Sequence, residues 1–234
     1  MATGNNLTDN NTVASAAGII SNGASYIAAN SEALSIVDNP SLTFTTALSI
    51  SFWIKQATLA KDRAFIGKWT YQTDGGFVIQ SCDSSDAAGT AGDMSIFIAT
   101  SAADSGAGCR MDFNDADMTA GSFFHVVMVY DGSLSGNANR LKLWINNVAK
   151  TLTVGAGAVP ASLLADTAVF YLGEWGGTLP RYFDGILDEV GLWSRAITGA
   201  EVTTLYNGGA GLTYPFGSSA NKRSKLSISN RIGI

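Results

Sequence analysis

LSISFWIK, from Leu48 to Lys55, alternates Ile50, Phe52 and Ile54 with Ser49, Ser51 and Trp53. Successive side chains of an extended segment point to opposite faces, so this stretch predicts a strand with one apolar face. The same reading predicts strands over Phe77 to Ser81, Met94 to Ala99, Cys109 to Phe113, Phe123 to Tyr130 and Arg140 to Ile145. Lys150 to Val154, Ala168 to Leu172 and Ile186 to Trp193 follow. Between them lie turn-forming stretches such as TDGG, SSDAAGTAGD and DGSLSGNAN, whose Gly and Asn tolerate positive φ and whose Asp and Ser bond to nearby backbone. Short connections of this kind favour antiparallel neighbours. ITGAEVTTLYNGG predicts the one convincing helix, with Thr198 as cap, Glu201 three residues on and Gly208 as stop. About a dozen strands without a regular repeat point to an all-β antiparallel jelly-roll sandwich with one short C-terminal helix.

The 234 residues include 46% hydrophobic and 14% charged side chains, a balance that folds around a core. Nineteen acidic against fourteen basic residues leave a net charge of −5, which argues against a nucleic-acid partner. No apolar run is long enough to cross a bilayer, so membrane insertion is not expected. MATGNNLTDNNTVASAAG lacks the basic start and apolar segment of a secretory signal. Asn6 and Asn10 open sequons that matter only where glycosylation occurs. The chain divides into an N-terminal segment (1–17), one sandwich domain (18–215) and a C-terminal arm (216–234). In that arm Lys222, Arg223, Lys225 and Arg231 gather positive charge, and Leu226 alternates with Ile228. Such a segment suits assembly by adding a strand to a neighbour's sheet edge, or it closes its own domain or trails as a tail.

Few residues carry reactive chemistry. His125 is the single histidine and shares a strand face with Phe123, Val127 and Val129, the setting of a structural histidine. Asp188 and Glu189 are adjacent and so point to opposite faces, which does not make the opposed carboxylate pair of a glycosidase. Strict alternation sets Asp188 beside Ile186, Val190 and Leu192, where a charge needs partners, most simply backbone N–H groups. Asp112, Asp115 and Asp117 read as a solvated acidic loop without EF-hand spacing. Trp69, Tyr71, Trp175 and Tyr182 are candidates for a carbohydrate-stacking platform, or they plug the ends of the sandwich. Trp53, Trp144 and Trp193 fall in strands and suit packing. Cys82 and Cys109 flank an intervening strand, which predicts two thiols rather than a disulfide.

Three longer stretches resemble a known family. ALSIVDNPSLTFTTALSISFWIK (33–55), FFHVVMVYDGS with RLKLWINNV (123–148), and YFDGILDEVGLWSRAITGAEVTTLYNGGAG (182–211) are similar to the laminin-G-like, pentraxin-related branch of the concanavalin A-like jelly rolls. Phe124 stands where that family usually has Trp, and Asn147 where it usually has Gly. Phe keeps an aromatic anchor and Asn tolerates the left-handed region, so neither change removes a strand. The resemblance implies two face-to-face sheets that often bind sugar, protein or calcium. A structural Ca2+ would then draw on Asp188, with Asp38 of the VDNP turn as a second ligand. LYNGGAGLTYPF (205–216) resembles versions in bacteriophage structural proteins. That likeness implies a non-enzymatic virion protein, a capsid decoration or tail-associated subunit located on the particle, with the arm reaching its own copies or another virion protein. A carbohydrate-binding module recognising a surface glycan, exported by a non-classical route, is the alternative. A glycoside hydrolase is the weakest reading.

Overall fold

The computed structural model describes residues 6–70, 73–84, 89–101, 108–113, 118–177 and 181–213, together with the backbone of 225–228. One sheet runs in the order β1 (Thr8–Asn10), β4 (Ala33–Ile36), β14 (Phe170–Leu172), β6 (Ala64–Thr70), β7 (Asp74–Ser81), β8 (Met94–Ile98), β9 (Cys109–Phe113) and β13 (Thr153–Ala156). The other runs β12 (Val148–Lys150), β11 (Leu141–Ile145), β10 (Phe123–Asp131), β5 (Ala47–Gln56), β15 (Gly185–Trp193), β3 (Asn22–Tyr26) and β2 (Ala14–Ala17), with β16 (Lys225–Ile228) also on β15. Neighbours such as β5 with β10 and β15 pair antiparallel, and the two sheets face each other as a jelly-roll sandwich. The chain before Gly18 supplies an edge strand to each sheet.

The alternation in LSISFWIK decides what faces inward. Ile50, Phe52 and Ile54 of β5 and Val126, Met128 and Tyr130 of β10 meet Ile79, Ile96, Met111 and Phe170 of the opposing sheet, all of them buried. Each such side chain contributes about 1.5–3 kcal/mol by leaving water. On the outer face of the second sheet, Val127, Val129 and Trp193 are covered by Ile197 and by Val202 and Leu205 of α2 (Gly199–Tyr206). Trp53 and Trp193 are buried and Trp144 packs against this second cluster, so all three are packing residues.

The start of α2 follows its sequence closely. Thr198 Oγ1 accepts from the Glu201 N–H at 3.3 Å, and Glu201 Oε2 accepts from the Thr198 N–H at 2.8 Å. Arg195 adds two bonds, Nη1 to Oε2 at 2.9 Å and Nη2 to Oε1 at 2.5 Å. The helix ends one residue before the expected glycine, on Asn207 at φ 47°. A second helix of one turn, α1 (Asn137–Arg140), sits in the turn before β11.

Three local features depart from the sequence reading. Lys150 to Val154 is two strands, because the chain leaves β12 and crosses to β13 in the opposite sheet, with Leu152 packing on the core between them. β6, whose apolar run Gly67 and Lys68 interrupt, and the short, small-residue strands β1, β2 and β3 are absent from the strands read in the sequence. Strict alternation fails in β15: the register against β5 shifts between Asp188 and Gly191, and Glu189 takes φ 45°. The bulge puts Asp188 opposite Trp53 on the outer face while Val190 and Leu192 join the core. Asp188 is therefore not a charge among core side chains. β7, β8 and β9 do form a meander, and the buried Cys82 and Cys109 are thiols with no disulfide between them.

Lys68 places a charge in this largely apolar interior. It pairs across the sheet with Phe77 and Phe170, so it lies on the core-facing side, and it is fully buried. Its ammonium contacts the Asp166 carboxylate, the Asp166 carbonyl at 3.0 Å and Asp38 Oδ1 at 3.0 Å. Burial pushes the Asp166 carboxyl above its ordinary range while Lys68 pulls it back. Lys68→Met leaves both carboxylates without their cation and should destabilise the fold by about 3–5 kcal/mol in urea unfolding, with Asp166→Asn recovering part of the loss. At the helix cap, Arg195 beside Glu201 draws its carboxyl down to about 2 from 4.5. Stability from this group is present above pH 4.5 and falls away as the pH drops toward 2. Thermal melts should show Glu201→Gln weaker than wild type by about 1 kcal/mol at neutral pH, with the gap closing across that acid window.

Candidate functional site

The connection after β14 reads LGEWGG (172–177) and folds down across the outer face of the first sheet. Gly67 of β6 admits it: a Cβ there would stand 2.7 Å from the Trp175 Cα and 3.0 Å from the Glu174 carbonyl. Gly176 is equally constrained, at φ 81° with the Trp69 carbonyl where a side chain would begin. The Gly173 N–H donates to Phe65 O at 2.9 Å, and the Phe183 N–H to Gly173 O at 2.9 Å, which ties this loop to the segment entering β15. Glu174 and Trp175 are thereby fixed by backbone contacts on both sides.

Arg181 joins the two segments. Its guanidinium lies 4.6 Å over the Trp175 ring, Nη1 donates to Gln80 Oε1 at 2.7 Å and Asp83 Oδ2 at 3.0 Å, and the same nitrogen pairs with Asp62 Oδ1 at 3.1 Å. The Arg181 carbonyl accepts from the Ala64 N–H at 2.8 Å, and Arg63 Nη1 donates to the Tyr182 carbonyl at 3.2 Å. Tyr182 therefore starts from a pinned backbone. With Tyr171 of β14, Glu174, Asn10, Asn11 and Ser31 it lines a cleft of about 310 Å³.

The cleft is polar with two aromatic walls. Tyr171 and Tyr182 are half-buried, while Glu174 is buried with its Oε2 accepting from the Gly176 N–H at 2.6 Å. Burial pushes the Glu174 carboxyl up, and burial with the nearby Glu174 charge pushes up the Tyr171 phenol. Asn10 Nδ2 donates to Ser35 Oγ at 2.9 Å and Asn11 Nδ2 to the Ser31 carbonyl at 2.9 Å, so the N-terminal strand is stitched to β4 along the rim.

Of the expected aromatic platform, Tyr182 lines this cleft and Trp175 lies directly behind it, sandwiched under Arg181. Trp69 is 1% exposed and packs with Trp175 and Val78, so it presents no face to a ligand. Tyr71 lies outside the described residues, as do Asp115 and Asp117. Tyr171, Glu174, Asn10 and Asn11 were missed. The alternation in Phe170–Leu172, with two core residues around one tyrosine, was the available signal for Tyr171. Asn10 and Asn11 carry no signal beyond a sequon, because a strand pairing between distant segments brings them there.

The carboxylates considered for calcium are apart in their bonding. Asp38 faces Lys68. Asp188 Oδ2 accepts from the Ile19 and Ile20 N–H groups at 2.8 and 3.0 Å, and Oδ1 from the Glu189 N–H at 2.9 Å. Asp112 is buried rather than solvated, bonded to Ser95 Oγ at 2.7 Å and Arg110 Nε at 2.9 Å. Among the described residues no group of three or more His, Cys, Asp or Glu could hold a metal ion. His125 is buried beneath α2, with Nε2 2.8 Å from Ser51 Oγ and its ring beside Trp53 and Tyr206. Burial lowers its pKa to about 4, and among the described residues no carboxylate bonds its Nδ1, so the ring is neutral at pH 7. Lys225, Leu226 and Ile228 of the arm lie in β16, paired with Trp193, Leu192 and Val190 of the same chain. Lys222, Arg223 and Arg231 lie outside the described residues.

Solved structures share this architecture. Domain 4 of AbnA, a GH43 extracellular arabinanase from Geobacillus stearothermophilus, was solved in complex with arabinotriose; it superposes with a TM-score of 0.57 at 21% identity, over 85% of each chain. The binding domain of Paraclostridial Mosquitocidal Protein 1 gives 0.60 at 16% identity, over 87% of this chain and 47% of that one. The receptor binding domain of botulinum neurotoxin D gives 0.57 at 13%, over 88% and 48%. The chain thus spans about half the length of these two binding domains, and at such identities the likeness is one of fold. No curated protein matches the chain in sequence. A family model does match, across residues 22–203, and with the two-sheet sandwich it places this chain in the concanavalin A-like lectin/glucanases superfamily.

Proposed function

We propose that this chain is a non-catalytic carbohydrate-binding module whose glycan lies in the cleft between Tyr171 and Tyr182. The cleft carries the reading: it combines two half-buried phenol rings with amide, hydroxyl and carboxylate groups held by the backbone. Sugars present apolar C–H faces and rims of hydroxyls, so aromatic walls and fixed polar groups together match them. Family membership supports the same reading, as does domain 4 of the arabinanase, solved in complex with arabinotriose. For catalysis a glycosidase needs two opposed carboxyl groups. Glu174 is the single carboxylate among the described residues lining this cleft.

Presentation on a phage particle is compatible with this module. That setting rests on the closing LYNGGAGLTYPF stretch, whereas glycan binding draws on the cleft, the family and the fold.

Isothermal titration with arabinotriose and a panel of neutral oligosaccharides tests the reading. Tyr182→Ala and Tyr171→Ala should each weaken the best ligand about tenfold or more, as loss of a buried ring face of ~1.5–3 kcal/mol requires. Their melting temperatures should stay near wild type, because both rings are half-exposed. Unchanged affinity in both variants, or no binding across the panel, would refute the assignment.

A further inference from the structure

The charge around the cleft limits which sugars fit. Glu174 is 6% exposed and anchored through the Gly176 N–H, so it cannot swing out to water when a ligand arrives. The remaining polar lining, from Asn10, Asn11, Ser31, Tyr171 and Tyr182, is uncharged. Two cations that meet the segment carrying Tyr182 are engaged by other partners. Arg181 is held by Asp62, Asp83, Gln80 and the Trp175 ring, and Arg63 bonds the Tyr182 carbonyl. A carboxylated sugar entering here meets a fixed negative charge in a partly dehydrated site with no lysine or arginine among the described lining residues.

We infer that the cleft selects uncharged oligosaccharides and rejects uronic or sialic acid sugars through Glu174, which acts as a specificity-determining residue. This inference rests on the glycan-binding reading. Glu174 has two effects: its carboxylate accepts hydroxyl hydrogen bonds from a neutral sugar, and it repels a like charge. Discrimination of this kind comes from a built-in unfavourable contact as much as from a favourable one.

The test compares arabinotriose, xylotriose and galactotriose with trigalacturonic acid and sialyllactose, on wild type and Glu174→Gln, by isothermal titration. Wild type should bind its best neutral probe at least about tenfold tighter than either acidic probe. Glu174→Gln should narrow that ratio at least about fivefold, chiefly by improving the acidic sugars. A measurement on wild type alone guards against a misfolded variant: fully methyl-esterified trigalacturonic acid, which carries no charge, should bind at least about fivefold tighter than the free acid, since esterification removes the repulsion. Acidic probes that bind as tightly as neutral ones, or a ratio unmoved by both the substitution and esterification, would overturn the selectivity while leaving glycan binding in place. Failure of every probe to bind would instead overturn glycan binding itself, and the selectivity with it.

Discussion

Both faces of β6 to β9, at the centre of the eight-stranded sheet, are almost entirely buried, and a polar group without water must find its partner within the protein. The register lines up Gln80, Ser95 and Asp112 across β7, β8 and β9 on the outer face, each 2% exposed or less. Ser95 Oγ donates to Asp112 and accepts from the Asp83 N–H, Arg110 bonds Asp112, and Arg181 bonds both Gln80 and Asp83. On the inner face Lys68 answers the same requirement with Asp166 and Asp38. An unpaired member would cost about 1–3 kcal/mol, more for a charge, so the network is fixed as a unit.

That network also sets the geometry of the cleft. Its Arg181 anchors the segment that carries Tyr182, and the guanidinium presses on Trp175 in the loop that carries Glu174. Two walls of one cleft are thus held from behind by groups outside its lining. Such pre-organisation lowers the ordering entropy that binding would otherwise cost. It also explains why the tryptophan is buried and the tyrosines are presented. The indole is the larger apolar body and serves as the bearing surface, while the phenols combine a ring face with a hydroxyl.

Most strands from Leu48 onward were legible because local alternation and local turns specify them, and α2 because its capping residues are neighbours in sequence; β6 and the break between β12 and β13 were not. Legibility ended where distant segments meet. The bulge at Glu189 reversed the side of Asp188 relative to Val190, and no pattern of apolar residues announces a one-residue register shift. Trp69 and Trp175 look alike in sequence, yet both are covered, by packing that depends on Gly67. Of the candidate site, Tyr182 was readable as aromatic content, with Trp175 behind it, whereas Tyr171 was not singled out. The rest, Glu174 and the asparagines of the first strand, required knowing that β1 lies beside β4 and that the Leu172 to Gly177 connection folds back on the sheet. Burial of Lys68 was also unreadable, since its two counter-charges stand 30 residues before it and 98 after.

Residue-resolved amide shifts recorded while arabinotriose or the best-binding neutral sugar is titrated into the protein address the central claim most directly. The account predicts saturable shifts concentrated at Asn10, Asn11, Tyr171, Glu174, Gly176 and Tyr182, with α2 and the outer face of β10 unmoved. Shifts confined to that opposite face, with the cleft residues still, would contradict it.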